Sequence, residues 1–247
     1  MILKDKVAVI YGAGGAVGGA VARAFACEGA KVFLTGRRRA KGIEELDALD
    51  EQAVDAHLQT VIDQAGRIDI SFNAIGIPDT EIVGVPLVDL EVEQFSLPIT
   101  SYTTSYFLTA RLAARRMVAQ KSGVIMTVTA PMSRAAAPAV GGYGPAMAAK
   151  EALTRSLSLE LAPHGIRVVG LRPHAMPETA SIQEVFNLKA AKVMTWEQWQ
   201  EAVASRTHTR RLMTLEELAN VAAFVASDKA SAMTGTNVNL TMGNLDD

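Results

Sequence analysis

Val7-Ala8-Val9-Ile10 runs directly into Tyr11-Gly12-Ala13-Gly14-Gly15-Ala16-Val17-Gly18, so a short β-branched run ends in a glycine-rich turn that opens an alanine-rich helical stretch. Glycine lets the backbone turn tightly and come close to a pyrophosphate. The phosphate charge is then stabilised by unpaired backbone N–H groups and the positive end of the helix dipole. Gly12, Gly14, Gly15, Ala16 and Val17 are therefore candidate cofactor-binding positions. A tight strand-to-helix turn needs glycine for its own sake, so the motif draws its weight from the strand–turn–helix setting.

Working outward, the same alternation recurs. Strands are predicted over Val7 to Ile10, Lys31 to Thr35, Ile68 to Asn73, Gly123 to Val128, Arg167 to Leu171 and Asn237 to Leu240. Between them Val17 to Glu28, Ala53 to Ala65, Ser101 to Gln120, Met147 to Ala162 and Leu215 to Ser227 carry apolar residues at helical spacing. Strand then helix, repeated, predicts an α/β fold: a Rossmann-type, doubly wound parallel sheet with helices on both faces, formed by one domain over residues 1–247.

Composition excludes several classes. A chain of 247 residues with 49% hydrophobic content and a formal net charge of −2 fits one globular domain with a buried core, not a nucleic-acid-binding protein. Every apolar run is broken by Arg, Glu, Gly or Pro well short of the ~20 residues that span a bilayer. A single cysteine, Cys27, rules out an internal disulfide framework. The expected location is cytoplasmic, with no membrane and no nucleic-acid partner. His57, His164 and His208 lie scattered, without metal-ligand spacing, so no metal is expected.

The second strand ends in Thr35-Gly36-Arg37-Arg38-Arg39. A cofactor lacking the 2′-phosphate calls for an acidic partner to its ribose hydroxyls, whereas arginines offer forked donors to a phosphate. Arg37 and Arg38 therefore favour NADP over NAD, the alternative being a solvated basic turn.

Along nearly its whole length the chain resembles the short-chain dehydrogenase/reductase family. That family's Thr-Gly-x-x-x-Gly-x-Gly appears as Tyr11 to Gly18 with Ala16 at the middle glycine, its Asp-Val as Asp47-Ala48, and its Asn-Asn-Ala-Gly as Asn73-Ala74-Ile75-Gly76. Leu153 to Val168 is similar to a consensus stretch, and Glu216 to Asn220, Thr234-Gly235 and Met242-Gly243 fit the ending. The resemblance adds Asp47, Ala48, Asn73, Ala74 and Ile75 to the cofactor-binding candidates. It also implies an oxidoreductase working with a nicotinamide cofactor on a small-molecule substrate, assembled as a homodimer or homotetramer.

In that register the family's catalytic tyrosine falls on Tyr143, its lysine on Met147, its serine on Ala130 and its helix asparagine near Ser101. The catalytic tetrad is then degenerate: a thioether carries neither the charge nor the donor of an ammonium. The first lysine after Tyr143 is Lys150, seven residues on. Seven residues rise about 10.5 Å along a helix against about 6 Å for four, so Lys150 is either a substitute catalytic group one turn deeper or an ordinary polar residue on a packed helix. Tyr143 and Lys150 are the catalytic candidates. Thr129, Ser133 and Arg134 flank Ala130 as replacement donors, and His174 offers a titratable proton or is a surface loop residue.

Only Ala40 to Leu46 separates Arg39 from Asp47, too few for the helical crossover that a further parallel strand needs. The edge unit is expected to be shortened unless a segment is missing. Residues 177–209, rich in apolar side chains including Trp196 and Trp199, match the family's variable substrate lid, with Thr195 a helix cap. These readings converge on an NADP(H)-dependent reductase of a carbonyl or activated alkene in a small, largely apolar substrate. The alternative is a catalytically silent, cofactor-binding homologue serving as oligomer partner or redox sensor.

Overall fold

The computed structural model describes residues 1–78, 80 and 83–246. Seven strands form one fully parallel sheet, and each predicted strand is present: β1 (Val7–Tyr11), β2 (Lys31–Gly36), β4 (Ile70–Asn73), β5 (Gly123–Val128), β6 (Ile166–Pro173) and β7 (Thr236–Leu240). The additional strand is β3 (Glu44–Glu45), and the spatial order is β3-β2-β1-β4-β5-β6-β7. The chain reverses its direction of winding between β1 and β4, which pair with Ala8 opposite Ile70 and Tyr11 opposite Asn73.

Strand alternation builds two cores. Ala8 and Ile10 of β1 join Ile70, Phe72, Met126 and Leu171 on one face, beneath α1 (Ala16–Cys27) and α7 (Leu215–Ala226). Val7, Val9 and Tyr11 join Ile125 and Val168 on the other, beneath α2 (Glu51–Ala65) and α3 (Val92–Gln120), with α4 (Tyr143–Leu161) at its margin. Both faces of β1 are buried, which explains its continuous apolar run.

Three boundaries differ from expectation. α3 starts at Val92 rather than Ser101, because a reciprocal cap between Glu91 and Gln94 starts the helix and Pro98 is accommodated inside it. α4 starts at Tyr143 rather than Met147, making Tyr143 its first residue. At the sheet edge the short segment is closed without a helix. Ala40 and Ile43 form a tight turn, and Glu44 and Glu45 return to pair in parallel with Thr35 and Gly36. The dozen-residue requirement holds for a crossover over the sheet face; a two-residue strand needs only a compact loop at the edge.

Residues 177–209 contain two helices, α5 (Ala180–Lys189) and α6 (Trp196–Ala204). Thr195 caps α6 as expected, exchanging hydrogen bonds with Gln198. Among the described residues no helix is long and apolar enough to cross a membrane, and no group of three His, Cys, Asp or Glu could hold a metal ion.

Candidate active site

Because every strand is parallel, Tyr11, Gly36, Asn73, Val128 and Pro173 all end at one edge of the sheet. Ligands of open α/β sheets bind outside that edge, at the switch point, which lies here between β1 and β4. Gly12 has φ +79°, and a Cβ there would lie 2.6 Å from the Ala74 carbonyl oxygen. A Cβ on Gly18 would collide with the Gly12 carbonyl. These two glycines are therefore required by the turn itself. Gly14 is different: a Cβ would meet nothing nearer than Ile43 Cδ1 at 4.0 Å, so the space above it is open. Gly15 caps α1 without any side-chain hydrogen bond, leaving the first N–H groups of Ala16 and Val17 directed out of the helix end. An exposed glycine turn under a helix N-terminus with no side-chain cap fits a dinucleotide pyrophosphate.

The shortened edge brings its loop onto this turn. A Cβ on Gly36 would lie 3.3 Å from Ile43 Cγ2 and 3.8 Å from Gly14 N, so Arg37 and Arg38 leave β2 beside the turn, both exposed. Glu44 is engaged by His57, 3.1 Å away. Asp47 Oδ1 accepts from Leu49 N at 2.9 Å and stabilises a local turn, while Ala48 is buried. Asn73 Nδ2 donates to Thr109 Oγ1 at 3.1 Å, its buried Oδ1 has no hydrogen-bond partner among the described residues, and Ala74 N donates to Tyr11 O at 3.0 Å. Ile75, half-buried, continues the same loop. The structure thus gathers Gly12, Gly14, Gly15, Ala16, Val17, Arg37, Arg38, Ala74 and Ile75 at one edge, with Asn73 tying β4 to α3.

Tyr143 stands where α4 opens, with its ring against that of Tyr102 on α3 at 5.7 Å and 73°. Met147, one turn on, is buried with Tyr102, Ala130 and Ala146, and Ile77, Ile99, Met132 and Tyr143 pack against this group. The surroundings of Tyr143 are therefore apolar. Lys150 lies further along α4. It is 1% exposed, and its Nζ donates to Val128 O at 2.7 Å over the rings of Tyr102 and Tyr106. Burial lowers its pKa to about 7. Lys150 is thus a buried amine on the packed helix α4, held by protein groups.

Thr129 and Ser133 are not available as replacement donors either. Their hydroxyls donate to Glu151 Oε1 at 3.0 and 2.7 Å, and Arg172 completes the arrangement with Nε to Oε1 at 2.8 Å and a second bond to Oε2 at 2.9 Å. Burial raises the Glu151 pKa, but the hydrogen bonds from Arg172, Ser133 and Thr129 outweigh it and hold the carboxylate below its usual range. Arg134 is exposed. His174, expected as either a proton carrier or a surface residue, is 8% exposed at the end of β6. Its Nδ1 has no partner among the described residues, and burial lowers its pKa.

Tyr102, Glu151 and Arg172 escaped the sequence reading. Tyr102 adjoins Ser101, the position assigned to the helix asparagine, and its hydroxyl accepts from Ile77 N at 3.3 Å. Over residues 177–209, Trp196 and Trp199 stack at 5.2 Å and 8°, and Phe186 packs edge-on to both. Lys189 reaches the Pro138 carbonyl, so this segment rests on the loop preceding Tyr143.

The enoyl-(acyl carrier protein) reductase family model matches residues 12–244, and an uncharacterized oxidoreductase of Bacillus subtilis is 31% identical over 96% of this chain and 89% of its own length. The chain belongs to the short-chain dehydrogenase/reductase family. It is therefore an oxidoreductase of that family, matched over residues 12–244. Short chain aldehyde dehydrogenase 1 of Euphorbia lathyris is 28% identical over 96% of this chain and 86% of that one. Among solved structures, an NAD+-bound xylitol dehydrogenase superposes with a TM-score of 0.88 at 27% identity, covering 98% of this chain and all of that one.

Proposed function

We propose that the protein is an NADP(H)-dependent reductase acting on a carbonyl or activated alkene of a small, largely apolar substrate. The reading rests on one observation: the open glycine turn with its two exposed arginines and the apolar cluster packed around Tyr143 lie at the same edge of the sheet. Gly12, Gly14, Gly15, Ala16 and Val17 would hold the pyrophosphate through backbone N–H groups, and Arg37 with Arg38 the 2′-phosphate. The nicotinamide supplies hydride when bound. Tyr143 orients the acceptor oxygen or carbon and delivers the proton, while Met147, Ala130 and Tyr102 exclude water. Residues 177–209 act as the lid, with the Phe186, Trp196 and Trp199 cluster favouring apolar substrates.

The tetrad is degenerate in this reading. Met147 and Ala130 are both buried in the apolar group, and the hydroxyls flanking Ala130 are committed to Glu151. That observation also favours a second reading, a silent cofactor-binding homologue acting as oligomer partner or redox sensor. One experiment separates them: titration with NADPH and NADH together with NADPH oxidation over a panel of ketones and enones. Turnover of any panel member with tighter NADPH binding supports the reductase. Tight binding with no turnover supports the silent homologue, and no binding of either cofactor overturns both.

A further inference from the structure

Lys150 is the strangest side chain in the core. A methionine or leucine would fill its place without taking an amine out of water, and a buried charge ordinarily demands a carboxylate. Among the described residues none pairs with it; Glu151, next in the chain, turns its carboxylate to Arg172, Thr129 and Ser133. What Lys150 has instead is the Val128 carbonyl at 2.7 Å and two aromatic faces, with Nζ 5.5 Å from the Tyr102 ring centre and 5.7 Å from that of Tyr106. Aromatic faces attract a cation and do so more strongly where water is excluded.

The two tyrosines differ in what else they hold. Tyr106 is locked in the core, its hydroxyl 3.0 Å from Thr154 Oγ1, which in turn donates to Lys150 O at 2.9 Å. Tyr102 faces the site: its hydroxyl accepts from Ile77 N, in the loop that follows Asn73-Ala74-Ile75, and its ring meets Tyr143. Lys150, Tyr102 and Tyr143 thus form a continuous stack from the core to the start of α4.

We propose that Lys150 is a positioning residue, whose ammonium sets the ring of Tyr102 and through it the placement of Tyr143 and of the loop at Ile77. The inference rests on the reading that Tyr143 serves the reacting ligand. It differs from direct catalysis in that Lys150 touches neither ligand nor reacting atoms. The groups facing Nζ are the rings of Tyr102 and Tyr106 from α3 and the Val128 carbonyl from β5, while α4 contributes Glu151, neutralised by Arg172 of β6. Loss of the Lys150 proton therefore removes the attraction holding Tyr102 with no nearby carboxylate to offset it.

The protein has four tyrosines, Tyr11, Tyr102, Tyr106 and Tyr143, so ring-labelled tyrosine gives a four-residue NMR spectrum. Between pH 6 and 9 the Tyr102 and Tyr106 signals should titrate together, Tyr143 should follow them, and Tyr11 should stay fixed. Lys150→Met should abolish the transition, and Tyr102→Leu should uncouple Tyr143 from it. With a working panel substrate, Lys150→Met should lower kcat at least tenfold and leave the NADPH dissociation constant within threefold. A Tyr143 signal that ignores the titration, or that still follows it in Tyr102→Leu, overturns the proposal, as does an unchanged kcat in folded Lys150→Met. Absence of turnover in the parent overturns the reductase reading alone, because the spectra judge the relay without any substrate.

Discussion

A lysine amine whose pKa falls to about 7 on folding makes stability depend on pH in one direction. The unfolded chain holds that proton up to about pH 10.4, so between pH 7 and that value the unfolded state binds more protons and stability rises with pH. The expected slope approaches ~1.4 kcal/mol per pH unit before other groups are counted. Urea melts from pH 6 to 9.5 should show the rise in the parent and a flatter profile in Lys150→Met, which should also be the more stable protein at pH 6. At the cofactor edge, Arg37→Asp should shift preference from NADPH toward NADH by an order of magnitude or more, since a charge-assisted hydrogen bond is typically worth about 1.5–3 kcal/mol. Equal binding of the two cofactors by the parent sinks that assignment. Met147→Lys with Ala130→Ser should raise diketone or quinone reduction, with Tyr143→Phe abolishing the gain. Met147 is buried among apolar neighbours, so the introduced ammonium should lower the melting temperature as it raises the rate.

At the scale of elements, α4 is tied to the sheet by the Lys150–Val128 hydrogen bond and by a buried cluster of Glu151 on the helix, Arg172 on β6, and Thr129 and Ser133 just beyond β5. Removing one partner of a buried ion pair is strongly destabilising, so Glu151→Ala should cost ~3–5 kcal/mol in denaturant unfolding. Elements whose signals are local were legible: the glycine turn of α1, the Thr195–Gln198 cap of α6 and every strand of more than two residues. β3 was not, because two glutamates carry no strand pattern and acquire one only by pairing with Thr35 and Gly36. The early start of α3 was hidden by Pro98, whose usual meaning is a break; the Glu91–Gln94 cap upstream outweighs it.

For the whole molecule, α3 and α4 lie side by side, and each leaves an apolar side chain in solvent, Phe107 at 40% and Leu159 at 81% exposure. Ala113 and Ala114 are buried in the core, but the small residues Ala148, Ala149 and Ala152 of α4 reach the surface and would allow close helix pairing around a two-fold axis. Light scattering at micromolar concentration should give a dimer or tetramer, and Leu159→Glu should shift it toward monomer; a monomeric parent refutes the assembly.

The amino-acid sequence by itself determined the alternating α/β order, the parallel sheet and the glycine turn at its switch point, because hydrophobic period and glycine geometry are properties of a few consecutive residues. Tertiary structure alone decided the state of the site. Lys150 meets Val128 across 22 positions, Glu151 meets Arg172 across 21, and Tyr102 lies 41 before Tyr143. No local pattern says that a lysine will be stripped of water between two tyrosines, or that two hydroxyls will be spent on a carboxylate. Whether a polar side chain serves chemistry or packing depends on which partners the fold places within hydrogen-bond reach, and those partners come from elsewhere in the chain.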